Sequence, residues 1–494
     1  MSTTRPTPGS RGERPRLLLS AFVMNTPNHI LGGHWRRPEA QQHRFNELAL
    51  WTDLAQQLED ARFDALFLAD VVGLYGDHEG GFASHVRRGL QVPANDPLVL
   101  ASALTAVTEH LGLAFTSSVI QAHPFQFARQ LSTLDHLSRG RVAWNIVTSV
   151  LENAHRNFGA AELEKHDRRY DWAEEYLEAC YKLWEGSWDE GAVLADKDSG
   201  LYGDPAKVHK VHHRGERYSI DGPHLSEPSS QRTPFLFQAG SSPRGQAFAG
   251  THAEATFLFA PNPQVAARNS AAVREAAVAA GRAPGDVKVF AGLSFLVGST
   301  EEEVARKKAE FAETLDLDYI IAHVGGGLGV DLGGHDLDAT LDDIAGGTAS
   351  TEGNQGHLAT LRKVSRTGNP TLREIAESRA YGQQIAGTPE QIADRLEEWQ
   401  DAGIDGINII NHVLPGSYTD FIEGVLPELR ARGLAQREYA PGTLREKVFG
   451  RGARLGSTHP AAAWRGAFTA EAARTSEATG ASAESAAEPE GARV

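Results

Sequence analysis

Residues 234–259 read PFLFQAGSSPRGQAFAGTHAEATFLF, and three pieces of structure follow from that order. Pro234 to Gly240 is a short apolar run that ends in glycine, and Glu254 to Phe259 is a second such run. Between them, Pro243 to Thr251 has helical character, and Ser242 stands where a side-chain oxygen would cap the first turn. Proline at the first helical position needs no amide partner, so Pro243 fits that start. A strand, a capped helix and a second strand close together predict a crossover unit with parallel strands.

The same alternation extends through most of the chain. Strands are expected at Arg16 to Val23, Ala65 to Asp70, Leu111 to Val119, Arg141 to Thr148, Pro234 to Gly240, Glu254 to Phe259, Val287 to Val297 and Gly406 to His412. Amphipathic helices are expected at Phe45 to Ala61, Leu98 to His110, Phe125 to Leu137, Pro243 to Thr251, Pro263 to Gly281, Glu301 to Leu315 and Pro389 to Ala402. Eight strands with interleaved helices predict an α/β fold, a closed (β/α)8 TIM barrel, since no dinucleotide fingerprint follows the first strand. The barrel is expected over residues 16–450, with long insertions near 151–230 and 316–388, and such insertions tend to be lids or pocket walls. The cluster Gly325-Gly326-Gly327-Leu328-Gly329 opens no evident helix and is read as a flexible loop. Residues 1–15 are polar, and 451–494 are rich in Ala, Ser, Glu and Gly. Both are expected to be disordered tails.

A formal charge of −16 opposes binding to nucleic acid or to anionic lipid. The single cysteine, Cys180, excludes an intrachain disulfide and reads as a buried structural thiol. No apolar run approaches a membrane span or a signal-peptide core, so a cytoplasmic protein is expected. His209, His212 and His213 invite a metal reading but lack a carboxylate at ligand spacing, and no metal site is assigned.

In a barrel, the loops after the strand C-termini build the site. The fifth strand leads into Ala239, Gly240, Ser241, Ser242 and Arg244. Glycine, hydroxyls, free helix amides and an arginine make a plausible phosphate site there. A plain serine cap beside a surface arginine is the competing reading, and the place at a strand end favours phosphate. Asp70 and Tyr75 follow the second strand, Thr116 and Ser149 mark the third and fourth, and His29 follows the first. His166 and Tyr170 stand four apart at a helix start, facing the same way.

Several longer motifs carry a family resemblance: FDALFLAD at 63–70, TLDHLSRGRVAWN at 133–145, HDRRY at 166–170 and QAGSSPRG at 238–245. With these the chain resembles luciferase-like flavin-dependent monooxygenases of the nitrilotriacetate and dibenzothiophene-sulfone monooxygenase group. AFVMN at 21–25, LADVVGLY at 68–75 and YLEACYKLWEGSW at 176–188 are similar to the branch that contains long-chain alkane and dimethyl-sulfide monooxygenases. The resemblance implies a barrel of the bacterial-luciferase type that uses reduced FMN (FMNH2) from a separate NAD(P)H:FMN reductase. It implies insertion of one atom of O2 into a small organic substrate, an alkane, thioether or related compound, through a flavin C4a-hydroperoxide. It also implies a homodimer or homotetramer. By this likeness Asp70, Thr116, Ser149, Tyr170 and the turn from Ala239 to Ser242 contact FMN, joined by His166 and Arg244. His29, Tyr75, Gln91 and His323 face the substrate side as catalytic candidates. Two positions depart from the branch pattern: Thr26 stands for a cysteine and Val150 for a histidine. A deazaflavin-dependent oxidoreductase and a non-catalytic flavin-binding barrel remain alternative readings.

Overall fold

The structure, a computed structural model, describes residues 14–469 except 77, 241, 346–360, 363, 364 and 366. Eight parallel strands form its centre: β1 (Leu18–Met24), β2 (Ala65–Ala69), β3 (Gly112–Ser118), β4 (Val142–Val147), β5 (Phe235–Gln238), β6 (Ala255–Leu258), β7 (Lys288–Val297) and β8 (Gly406–Ile410). Each pairs with the next in order, and Leu18 of β1 pairs with Gly406 of β8, so the sheet closes on itself as a (β/α)8 TIM barrel.

Alternation along the strands decides what fills the barrel. Phe22 lies against Phe257 at 4.8 Å although β1 and β6 are not neighbours, and Phe67 meets Phe237 at 5.3 Å across the same interior. Intervening residues such as Leu19, Ala21 and Val23 face outward, into the shell formed with Trp51, Leu54 and Leu58 of the helix Leu48–Asp60. All seven expected helices form within a few residues of their expected ends, except that the second runs only over Pro97–Leu104.

The barrel floor is held by Arg445 of the helix Leu444–Phe449. Its guanidinium grips the Glu254 carboxylate at 2.5 and 2.8 Å and donates to the carbonyls of Thr233, Pro234 and Ala453. Both partners are buried, so each charge depends on the other.

Two expectations are corrected here. The tail expected over 451–494 does not begin at 451, because residues up to Thr469 are packed. Ala461 and Leu455 are buried, the His459 ring meets the His252 carbonyl at 2.8 Å, and Trp464 and Phe468 stack at 5.8 Å beside the helix His166–Tyr181. A few large apolar side chains seated in an existing groove outweigh a composition that is poor on average; residues 470–494 lie outside the described part. The glycine cluster is also not a loop. It completes the helix Leu317–Leu328, capped at its start by Asp316 and ended by Gly329 at φ 66°. A Cβ on Gly326 would stand 2.7 Å from Tyr75, so this glycine provides close packing, not backbone freedom.

The insertion near 316–388 thus brings ordered elements to the C-terminal rim: this helix, the helix Leu372–Tyr381 and a strand at Gln384–Gly387 that pairs with the far half of β7. The insertion near 151–230 contributes the helix His166–Tyr181 and two hairpins, Val193–Asp196 with Leu201–Gly203 and His213–Arg214 with Ser219–Ile220.

Candidate active site

The turn after β5 is a cradle in which two glycines stand where a Cβ would not fit. Ser242 Oγ accepts the Gly245 amide at 3.0 Å and starts the helix Pro243–His252. A Cβ on Gly240 would lie 2.5 Å from Gln238 Nε2, and one on Gly245 only 2.7 Å from the Tyr170 hydroxyl. Tyr170 is buried, which pushes its hydroxyl above the usual range, while hydrogen bonds to Ser242 and Gln238 act in the other direction. The His166 ring lies 5.3 Å from that of Tyr170, with Nδ1 on Asp167 at 2.7 Å. Arg244 lies over the Tyr170 ring at 5.5 Å and is shared between Asp171 and Glu174, each at 3.3 Å. Two carboxylates therefore offset most of its charge, and backbone amides and hydroxyls are left as the main anion donors. Ser241 lies outside the described residues.

From β2 to β4 the rim continues with polar groups. Thr116 Oγ1 accepts from Asn145 Nδ2 at 3.0 Å, while Asn145 Oδ1 and Gln238 Oε1 are buried with no hydrogen-bond partner among the described residues. Ser149 holds a left-handed φ of 50° and donates to Ser118 Oγ at 2.9 Å. Such a backbone is uncommon outside glycine and costs energy, and it is concentrated at functional sites. Burial first, and the Asp96 charge second, push the Asp70 carboxyl up to about 7, against the Val71 amide.

The β1 side of the mouth differs in character. His29 is buried, its Nδ1 has no partner among the described residues, and burial pushes the ring down to about 3. Its carbonyl accepts from Gln91 Nε2 at 3.1 Å and from the Tyr319 hydroxyl at 2.6 Å. Tyr75, pushed up to about 12 by burial, meets the His323 ring at 4.9 Å. The structure therefore brings His29, Gln91, Tyr75 and His323 together, with Tyr319 as the link that sequence reading missed. A small cavity beside His29 is lined by Thr26, Asn28, Gln42, Asn411 and His412. Thr26 donates to the Pro93 carbonyl at 2.8 Å, and Val150 is exposed in the loop after β4.

A closed barrel, an amide-rich cradle after β5 and orphaned polar atoms along β4 and β5 occur together here, and the family model described as luciferase-like monooxygenase matches residues 24–406. The chain belongs to that family. It is 43% identical over 452 residues to the long-chain alkane monooxygenase of Geobacillus thermodenitrificans, covering 91% of this chain and 98% of the relative. It is 42% identical over 460 residues to the dimethyl-sulfide monooxygenase of Hyphomicrobium sulfonivorans, covering 92% and 95%. A crystal structure of a riboflavin lyase with modified FMN and riboflavin superposes with a TM-score of 0.84 at 37% identity, covering 91% of this chain and 99% of that one.

The donor set of this luciferase-like chain fits a flavin mononucleotide. An anion suits the amides after Ser242, and the orphaned Asn145 and Gln238 oxygens are acceptors that can take hydrogen bonds from a polar ring system. No helix among the described residues is long and apolar enough to cross a membrane.

Proposed function

We propose that this protein is the oxygenase of a two-component system: it binds reduced FMN delivered by a separate NAD(P)H:FMN reductase and inserts one atom of O2 into a small organic substrate. The observation that carries this reading is the division of one rim into a glycine-rich cradle suited to a phosphate after β5, polar groups on β2 to β4, and buried His29, whose Nδ1 has no partner among the described residues, with Tyr75 on the far side. Reduced FMN, when bound, supplies the two electrons needed for one oxygen atom to enter the substrate and the other to leave as water.

The amides at the start of Pro243–His252, Ser242 Oγ and the Tyr170 hydroxyl would hold the phosphate. Asp70, Thr116, Asn145 and Ser149 would orient the ring, and Asp70 can present a proton at neutral pH because its carboxyl titrates near 7. His29 stays neutral at physiological pH, so its unpartnered Nδ1 offers one hydrogen bond without a charge. Tyr75 likewise remains a neutral donor. The helix Leu317–Leu328 packs over this side and excludes water from it.

The test supplies FMN, a flavin reductase, NADH and isotope-labelled O2, with alkanes and thioethers as substrates. Product heavier by one labelled oxygen, dependent on the reductase, is the expected result. Rapid NADH oxidation by the protein and FMN alone would refute the division of labour. Tighter binding of reduced deazaflavin than of FMN would point to the dehydrogenase class.

A further inference from the structure

Arg379 lies in the insertion near 316–388, in a stretch where no helix is expected. The helix Leu372–Tyr381 lies over the barrel mouth, and the Arg379 guanidinium sits 5.2 Å above the ring of Phe259, the residue after β6. It has no carboxylate within ion-pair distance among the described residues. Most arginines in the molecule are treated differently: Arg445, Arg432, Arg244 and Arg274 each hold an acidic partner.

Arg379 also borders the side of the mouth that the cofactor groups leave free. Phe259 lies 4.6 Å from Phe257, Phe257 lies 4.8 Å from Phe22, and Phe22 lies 4.7 Å from His29. These rings form an apolar floor with the cation at one end and His29, its Nδ1 without a partner among the described residues, at the other. The charge is close enough to bear on both His29 and Tyr75, lowering the ring of the first and opposing the rise of the second. Arg379 is half-buried, so its guanidinium is partly withdrawn from water with no counter-charge among the described residues, and an anionic ligand offsets that cost through short, charge-assisted hydrogen bonds.

We propose that Arg379 is a specificity residue and that the substrate carries an anionic group, a carboxylate or sulfonate, held by this guanidinium while the carbon or sulfur to be oxidised lies over the phenylalanine floor toward His29. The inference rests on the proposed oxygenase reading for the chemistry, but the anion preference itself can be measured without turnover.

The test titrates FMN-loaded protein calorimetrically with hexanoate, (methylthio)acetate and butanesulfonate, and with the matching neutral amides. The unaltered protein should bind at least one anion about ten-fold or more tighter than its amide. R379Q should abolish that preference while binding FMN as the unaltered protein does, and R379K, which keeps the charge but not the planar fork, should retain part of it. Thermal melting of both variants establishes that they are folded. No anion preference in the unaltered protein overturns the proposal, as does a preference that survives in R379Q. Loss of FMN affinity in R379Q would also overturn it, by assigning the charge to the cofactor. The FMN titration of the unaltered protein stands apart: failure to bind FMN would sink the oxygenase reading, while the same anion and amide titrations on flavin-free protein would still decide the role of Arg379.

Discussion

Replacing Asp70 with asparagine should stabilise the protein, and by an amount that depends on pH. Burial and the Asp96 charge raise the carboxyl from an ordinary 3.8 to about 7 in the folded chain. In the unfolded chain the same group ionises near its ordinary value. Between those two limits the folded state binds more protons than the unfolded one, so stability falls as pH rises from about 4 toward 7 and stays low above it. A shift of about three units at 1.36 kcal/mol each gives a penalty of about 4 kcal/mol at pH 8. Asparagine has nearly the same shape and no ionisation, so the advantage of D70N should be small at pH 4 and approach that figure at pH 8. For about 450 ordered residues the unfolding entropy is on the order of 1 kcal/mol/K, which makes the full effect about 4 °C in Tm. Melting curves of flavin-free wild type and D70N, taken from pH 4 to 9, provide the comparison. Parallel curves, with a constant gap at every pH, would refute the argument that this carboxyl is held protonated by its surroundings.

Three further outcomes are expected. Arg445→Leu leaves Glu254 buried without its partner and should cost about 3–5 kcal/mol, read as a lower Tm; the double variant with Glu254→Gln should recover part of the loss, and an unchanged Tm in the single variant would contradict the floor-pinning role. Gly245→Ala brings a Cβ to 2.7 Å from the Tyr170 hydroxyl and should weaken FMN binding by roughly 1–3 kcal/mol, measured by flavin fluorescence. Adding Tyr170→Phe removes the closest contact but not those with Gly240 Cα at 3.0 Å and Ser242 Oγ at 3.1 Å, so it should recover only part of the loss. His29→Ala should leave FMN affinity nearly intact, because its contacts lie away from the phosphate cradle, but release hydrogen peroxide in place of oxygenated product. Wild-type product yield from that variant would remove His29 from the chemistry.

The expected strands and most helices formed because their signals are local. Period-2 and period-3.6 patterns, Ser242 before Pro243, and Asn262 before Pro263 each declare an element within a few residues. The strand Gln384–Gly387 was missed since four residues with little alternation carry no signal until β7 offers them an edge. The helix Leu317–Leu328 was missed for another reason: three consecutive glycines look like freedom in a sequence, while in the fold a Cβ on Gly326 would run into Tyr75 and one on Gly325 into the Val330 carbonyl.

The candidate site divides in the same way. The cradle at 239–245 is contiguous in the chain, so its cap, glycines and arginine could be read together from the sequence, as could the barrel whose strand ends present it. Tyr319 against the His29 carbonyl, Arg379 over Phe259 and the raised carboxyl of Asp70 could not. Each depends on burial and on neighbours far away in the chain. Local order therefore determined the barrel and the glycine–serine turn after β5, whereas the charge states and the lining around His29 and Tyr75 were decided by tertiary packing, because desolvation and electrostatic fields act through space.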